Sequence, residues 1–477
     1  MIELSENISN YILKNFGEDY LKNYTEYFNS EYKPYLRISP LSLPEEKVIS
    51  NLAKYGVQLE KVENIPHAYR IIEGSNIAGK TLDFILGAYY IQSLSSMIPA
   101  LVLNPDENEK VLDLCAAPGS KTTQLAELMQ NKGTLIANEI SLDRMRILMF
   151  NIDKMKLVNT GVMNNKGELL SKTFENYFDK ILVDAPCSAL GITQKKGEVS
   201  NWWNLKKAEG LSEIQIRLLV SAVKMAKIGG EIVYSTCTIT LEENELVMNK
   251  ILKKYPVELV DVELPVECVH AFTKYEDEEL NKEISKARRI LPWQIGSEGF
   301  FVSKLRKIDN AEPVNKNPRK EKKLELLKSS SGKIKKYLDE TSAYFGIERT
   351  IFDDYKYLLR SGDIYFVDKN WDCGELESFA RIGSKFGSID KRENLQMHTL
   401  AAQILGSFVS KNIITLENKK ELETYLGGGT IKKNFEAAGQ QIIRYEDYIL
   451  GTGTISKDGL KSQFPRAFRT QEILLPT

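Results

Sequence analysis

Histidine is scarce in this chain, with three among 477 residues, and the five cysteines, Cys115, Cys187, Cys237, Cys268 and Cys373, form no CxxC pair. Structural zinc needs closely spaced sulfur and imidazole ligands, so neither residue type supports it and no metal is expected. Long apolar runs are missing too; nothing approaches the roughly 20 residues that span a bilayer, and no membrane association is expected. The opening MIELSENISNYILKNFGEDY is acidic and amphipathic. It has no basic segment leading into an apolar core, so no secretory signal is expected and the cytoplasm is the expected compartment. Nor is there an excess of either charge: the formal net charge is −1. That balance neither argues for a nucleic-acid partner nor excludes one, because binding depends on where the positive charge lies. What is present is an ordinary globular composition, 42 % hydrophobic and 27 % charged, in a chain long enough for two to four domains.

The most informative stretch is KVLDLCAAPGSK, Lys110 to Lys121. Val111 to Leu114 read as a short buried strand, and Pro118 and Gly119 turn the chain into the helical run TTQLAELM. Ala116, Ala117, Gly119 and Ser120 are small and let a ligand approach the backbone, while the helix start offers unpaired N–H groups. The spacing matches neither G-x-G-x-x-G nor the phosphate loop, which argues against a nucleoside triphosphate. A cofactor loop and a plain strand-to-helix turn are the two readings of this stretch.

From Lys110 onward strands and helices alternate. GTLIANEI is a second strand ending at Glu139, followed by a helix from about 141 to 155; FDKILVDAPCS carries a strand ending at Asp184. LSEIQIRLLVSAVKMAKI reads as a long amphipathic helix stopped by Gly229 and Gly230, EIVYSTCT as the next strand, LEENELVMNKILKKY as a helix and GFFVSKLRK as a closing strand. Such alternation predicts an α/β fold with a mostly parallel sheet, helices on both faces, and a site outside the carboxyl ends of its strands. Glu139, placed after the second strand, reads either as a ribose-diol acceptor or as a helix-cap acid.

Flanking segments are less distinctive. VISNLAKYGVQLEKV reads as a helix closed by Gly56, and Tyr89, Tyr90 and Gln92 read as packing residues, with contact to a ligand or a neighbouring domain as the alternative. His67 has no assignment. Between Lys304 and Lys336 there are twelve Lys or Arg against four Asp or Glu, with two prolines. This run reads as an exposed linker, either simply solvated or touching RNA phosphates. The remainder looks like a smaller α+β domain with turns at residues 427–429, 451–453 and 457–459, ending in a second basic patch with Arg466 and Arg469.

Chemistry points to DAPCS (184–188) and STCT (235–238), two cysteines in turns after sheet strands. Inert burial, redox exchange between distant thiols and nucleophilic catalysis are three readings of such a pair. Asp184, at a strand end, favours the third by offering a carboxyl to a base edge or cofactor. C5 of cytosine becomes nucleophilic only after something adds at C6, and a thiolate can do so; methyl transfer, loss of the C5 proton and elimination then follow.

These blocks, VLDLCAAPGSKTTQLAELM, ANEISLDRMRILMFNIDKM, KILVDAPCSALG, VYSTCT and GSEGFFVSKLRK, resemble the NOL1/NOP2/Sun family of RNA cytosine-C5 methyltransferases over about residues 85 to 307. RIGSKFGS, QMHTLAAQIL and LKSQFPRAFR resemble the RNA-binding extension of its bacterial ribosomal branch. The resemblance implies a Rossmann-like catalytic domain at 99–307, an N-terminal RNA-binding or accessory region at 1–98, a basic linker at 308–339 and a C-terminal α+β RNA-binding domain at 340–477, with PUA-like as its candidate type. It implies S-adenosylmethionine over Cys115, Ala116, Ala117, Pro118, Gly119, Ser120 and Lys121, with Glu139 at the ribose. Cys237 matches the nucleophile, Cys187 the residue that helps release product, and Asp184 the acid at the base and cofactor; Lys121 is implied at the active site as well. The implied substrate is 16S ribosomal RNA or the small subunit, acted on by a monomer. A tRNA substrate and a non-catalytic ribosome-assembly role are the alternatives. Two positions depart from the family: Asn165 stands where an aspartate near the adenine is usual, and Ala189 where glycine is common.

Overall fold

The computed structural model describes residues 4–192, 194, 202–313, 324–469 and 472–475. Helices α1 (Glu6–Phe16) and α2 (Glu18–Phe28) meet at Gly17, whose φ of 86° lets the chain reverse without a Cβ clash. Ile8, Tyr11 and Ile12 of α1 and Tyr24, Tyr27 and Phe28 of α2 are buried, the one-face spacing of an amphipathic helix. Strands β1 (Tyr35–Ile38), β2 (Gln58–Lys61), β3 (Ala68–Glu73) and β4 (Tyr89–Ile91) form an antiparallel sheet in the order β2-β3-β1-β4. Helix α3 spans Glu45–Lys54, so the helix expected through VISNLAKYGVQLEKV stops earlier. Gly56, at φ 75°, turns the chain, and QLEK becomes strand β2. Tyr89, Tyr90 and Gln92 are buried, in keeping with packing.

Helix α4 (Leu94–Leu103) leads into the central sheet. Its strands are β5 (Lys110–Asp113), β6 (Thr134–Asn138), β7 (Thr160–Met163), β8 (Phe178–Asp184) and β9 (Ala226–Thr236). Between them run α5 (Ser120–Leu128), α6 (Leu142–Lys154) and α7 (Leu205–Met225). The five strands lie in the order β7-β6-β5-β8-β9, every neighbouring pair parallel. The order reverses at β5, which opens a crevice at the strands' carboxyl ends; this is a Rossmann-like arrangement. Side chains alternate between the two faces. Val111, Leu135 and Val233 pack with Met97, Leu125, Leu148 and Ile152. Leu112, Ile136 and Ile232 pack on the other side with Leu218, Leu219, Val247 and Met248.

The sheet is less parallel than expected. After helix α8 (Glu245–Lys254) come β10 (Val257–Val260) and β11 (Val269–His270), a small hairpin of β12 (Lys274–Tyr275) and β13 (Glu278–Glu279), then β14 (Arg288–Ile290) and β15 (Phe300–Lys307). β15 pairs antiparallel with β9, β14 and β10, and it follows β14 through a short connection with no crossover helix. The long helix ends at Met225, earlier than the glycine pair. Gly229 and Gly230 lie inside β9, where the pairing with β8 shifts register, so the glycines serve a strand irregularity.

Residues 324–469 build two five-stranded sheets. The span expected as a linker is partly ordered structure: a strand at Leu327–Lys328 and helix α9 (Gly332–Phe345) occupy its second half, while 314–323 fall outside the described residues. Its first basic residues belong to β15. Lys307 is buried, donating to the Ala226 carbonyl, and Lys304 pairs with Glu231, so these two are committed to the fold and not to phosphates. The 451–453 turn is also revised, since these residues lie within a strand, Tyr448–Ser456, whereas 457–459 does form a hairpin turn. Arg466 is exposed, but Arg469 folds onto the Phe464 carbonyl. A short strand, Arg381–Ile382, extends the central sheet beside β7. Trp371 and Phe379 fill the space over Gly161, where a Cβ would come within 2.5 Å of the Trp371 ring. Among the described residues no helix is long and apolar enough to cross a membrane, and no cluster of His, Cys, Asp or Glu could hold a metal.

Candidate active site

Parallel pairing of β8 with β9 sets Asp184 beside Ser235 at the two carboxyl ends. Each strand then turns, and the turns carry Cys187 and Cys237 back toward each other until their sulfurs are 3.0 Å apart. Both cysteines are partly exposed. Asp184 accepts from the Ser235 hydroxyl on Oδ1 at 2.7 Å and from Lys121 Nζ on Oδ2 at 2.8 Å. Lys121 also donates to Ser96 Oγ at 3.0 Å and lies 5.1 Å from the Phe300 ring centre.

Charge in this crevice is unevenly held. Burial works against the Lys121 ammonium, but the adjoining Asp184 carboxylate outweighs it, and the group stays above the ordinary lysine range, with Cys237 acting in the same direction. A hydrogen bond to Cys237, followed by burial, pushes the Cys187 thiol well above its ordinary value. Either sulfur can be the donor of the hydrogen bond that joins them. Burial, aided by Asp113, Asp184 and Glu139, likewise raises Cys115, which leaves a neutral thiol lining the loop. Burial also pushes Asp113 up to about 7, against a hydrogen bond from Thr122, and its Oδ1 has no protein hydrogen-bond partner.

The loop from Cys115 to Lys121 crosses the end of β5 with a cis Ala117–Pro118 bond. Gly119 sits at φ 111°, a conformation that favours glycine, and starts α5 with no side chain capping its first N–H groups. Pro118 is exposed and Cys115 and Ser120 are partly so, while Ala116 and Ala117 are buried. Glu139 ends β6; Oε1 accepts from the Ser141 N–H at 2.9 Å, as a cap acid would. Oε2 has Arg144 at 3.5 Å, and the Glu139 side chain is buried. Ile140 and Leu142 beside it expose apolar surface that a flat ring could cover. Asn165 is exposed, and its backbone exchanges two hydrogen bonds with the Asn138 side chain. Ala189, in the turn after Cys187, has φ 60°, so the position where glycine is common is a left-handed one.

Several residues at this site escaped the sequence reading. Ser96 and Phe300 contact Lys121, and Ser235, within the STCT stretch read for its cysteine, donates to Asp184. Glu243 and Asn244, read as the start of a helix, lie in a turn before α8 and bond to the cysteine loops. The acidic and amide side chains so soon after STCT were the available signal, but only tertiary contact shows what they hold.

Comparison with known proteins agrees with this architecture. Residues 100–306 match the model of a family described as 16S rRNA methyltransferase RsmB/F. The chain is 30 % identical over 437 residues to ribosomal RNA small subunit methyltransferase F of Vibrio cholerae, covering 90 % of each chain. It is 28 % identical over 455 residues to the protein of that name from Shewanella piezotolerans, covering 94 % of this chain and 93 % of the relative. A tRNA (cytosine(49)-C(5))-methyltransferase of Pyrococcus abyssi is 38 % identical over 229 residues, 48 % of this chain and 73 % of the relative. Among solved structures, a methyltransferase homologue from Pyrococcus horikoshii superposes with a TM-score of 0.57 at 30 % identity, over 64 % of this chain and 96 % of that one. The fold, the cysteine-bearing strand ends and a match along nine-tenths of a relative's length converge: this chain belongs to the RsmB/F family, within the NOL1/NOP2/Sun group of RNA cytosine-C5 methyltransferases.

Proposed function

We propose that this enzyme methylates C5 of cytosine in 16S ribosomal RNA, using S-adenosylmethionine and a covalent bond between Cys237 and C6 of the base. The observation that carries the chemistry is the pair of sulfurs 3.0 Å apart beside the Asp184–Lys121 ion pair. When bound, the cofactor supplies the electrophilic methyl group. The loop from Cys115 to Lys121 and the Glu139 carboxylate are suited to hold its amino-acid and ribose parts, with Asn165 at the rim near the adenine.

Cys237 Sγ, freed of its proton, adds to C6, and the C5=C6 electron pair becomes available at C5. The Lys121 ammonium favours negative charge on that sulfur, and Asp184 is placed to hold an edge of the ring. After methyl transfer the C5 proton leaves and the Cys237–C6 bond breaks, restoring the aromatic ring. Cys187, the protonated thiol at Cys237's side, assists this release. The target base has to leave its stack to enter a strand-end pocket. Preference for ribosomal RNA rests on the length of the match: relatives named for the small subunit align through the C-terminal region, whereas the tRNA-named relative aligns over 48 % of this chain. We assign RNA contact to that C-terminal region, and a monomeric cytoplasmic enzyme as the working form.

Bisulfite sequencing of 16S RNA from cells with and without the gene tests the substrate. At least one protected cytosine should become convertible on deletion; methylation of purified tRNA in preference to 16S RNA or small subunits would redirect the assignment. Chemistry is tested by two variants on denaturing gels with RNA. Cys237→Ala should abolish methylation and give no adduct, and Cys187→Ala should leave protein trapped on RNA. An adduct that persists in Cys237→Ala would reverse the roles.

A further inference from the structure

Beneath the two cysteines lies a buried carboxylate that the chemistry above does not use. Glu243 Oε1 accepts from the Ser188 N–H at 2.8 Å and from Gln215 Nε2 at 2.9 Å. Its Oε2 accepts from the Ser188 hydroxyl and from Thr240 Oγ1, the latter at 2.8 Å. Four donors fill the four lone-pair sites of an ionised carboxylate. Ser188 has one hydroxyl proton and gives it to Glu243, so the 3.0 Å contact between Ser188 and Thr238 is a donation from Thr238. The Trp203 indole N–H donates to the same Ser188 oxygen at 3.1 Å.

Ser188 follows Cys187 in the chain, and Thr238 follows Cys237. One carboxylate thus anchors the residue after each sulfur, although the two turns are separate in sequence. The bracing extends to the other side of each cysteine. Gln215 also donates to the Pro186 carbonyl at 2.9 Å, just before Cys187. Asn244 accepts from Thr236 Oγ1 at 2.6 Å and donates to the Thr238 carbonyl at 3.0 Å, spanning Cys237.

We infer that Glu243, with Asn244, is the positioning residue of the reaction: it holds the two cysteine turns in register so that one thiol can serve the sulfur of the other. Glu243 touches neither sulfur and neither substrate, and acts through Ser188, Thr240 and Gln215. Buried carboxylates that only stabilise a fold need no link to two such turns; two of the four hydrogen bonds to this one come from Ser188, beside Cys187, and Ser188 in turn is joined to Thr238, beside Cys237.

The inference rests on the covalent mechanism proposed above, and its test separates the two. Glu243→Gln keeps the volume but turns one acceptor into a donor that faces donors. It should lower kcat for methylation by on the order of a hundredfold, the cost of a small misplacement of reacting groups, with KM for RNA and affinity for S-adenosylmethionine unchanged. In a Cys187→Ala background, where the placement of Cys237 is all that Glu243 still sets, it should slow adduct formation by a smaller factor. Ser188→Ala, a milder change that carries the test should Glu243→Gln fail to fold, should act in the same direction with a smaller loss. Unchanged kcat in a folded variant overturns the inference, as does a parallel fall in kcat, cofactor affinity and unfolding midpoint, which would mark general damage. If Cys187→Ala alone traps no RNA, the covalent mechanism fails and the inference with it. If Cys187→Ala traps RNA as fast with Glu243→Gln added, only the positioning role fails.

Discussion

At the scale of single residues, Ala189 carries a conformation that its side chain disfavours. At φ 60°, in the turn between Cys187 and Leu190, its Cβ sits close to the following carbonyl, and a glycine there would be free of that crowding. Ala189→Gly should therefore raise stability by up to about 1 kcal/mol, the remainder of the relief being offset by added freedom in the unfolded chain. Ala189→Val should destabilise, because a branched Cβ tolerates the left-handed region less well. Thermal unfolding of the two variants measures both, and a glycine variant less stable than the parent would mean that the Ala189 methyl packs better than it strains. The departure at Asn165 has less consequence for the fold, since that residue bonds through its backbone to Asn138 and leaves its amide exposed.

Among elements, the catalytic turns are supported by parts of the chain far away in sequence. Tyr24 of α2 donates to the Leu190 carbonyl at 2.5 Å, and Tyr11 of α1 donates to Glu242 at 2.6 Å while accepting from the Leu241 N–H. Arg289 of β14 is buried against Glu245 at the start of α8, with Nε to Oε1 at 2.6 Å, and donates to the Ile239 carbonyl at 2.8 Å. Its guanidinium lies over the rings of Phe16 and Phe272. Removing one partner of a buried pair strands the other's charge, so Arg289→Met should cost about 3–5 kcal/mol in urea denaturation. A loss below about 1 kcal/mol, the size of an exposed pair, would contradict this. Elements with strong local signals were legible in the sequence: the β5–loop–α5 unit, the ends of β6 and β8, and helix α6 all fall within a residue or two of expectation. The errors cluster where local pattern and tertiary demand part. Gly229 and Gly230 read as a helix stop, but pairing with β8 takes the chain into a strand before them. QLEK carries helix-compatible residues, yet β3 offers a free edge and captures it.

For the molecule as a whole, the accessory regions are fixed to the catalytic sheet by burial. The C-terminal region inserts Trp371 and Phe379 over Gly161 and adds its own edge strand to β7. On the N-terminal side, Lys154 at the end of α6 is buried against Phe84 and Tyr90, 3.8 and 5.2 Å from the ring centres. Burial lowers Lys154 to about 7. Between that value and the ordinary lysine pKa of about 10.4 the unfolded chain holds a proton that the folded protein has released, so stability rises with pH across this window. Below it the cost of the buried charge is at its full size. Lys154→Met should thus stabilise the protein by about 1–3 kcal/mol near neutral pH, less than the whole shift because the rings offset part of the cost, with the gain shrinking toward pH 10. Urea midpoints at about pH 6.5 and about pH 9.5 check it, and an equal gain at both would exclude the buried charge as the cause.

By itself the sequence determined the chemistry on offer. The small-residue loop after a buried strand, Glu139 and Asp184 at strand ends, and cysteines in two separate turns are local features, written in periodicity and in the residues that follow each strand. The tertiary structure alone decided how those groups meet. Parallel register between β8 and β9 brings Cys187 to 3.0 Å from Cys237, and a hydrogen bond between them, with burial, raises the Cys187 thiol above its ordinary value. The braces are tertiary as well: Glu243 lies beneath both turns, α1 and α2 support them from the amino terminus, and the C-terminal region is anchored at Gly161. No pattern within a short window records contacts between residues tens or hundreds of positions apart, because what selects them is the packing of faces that only the folded chain brings together.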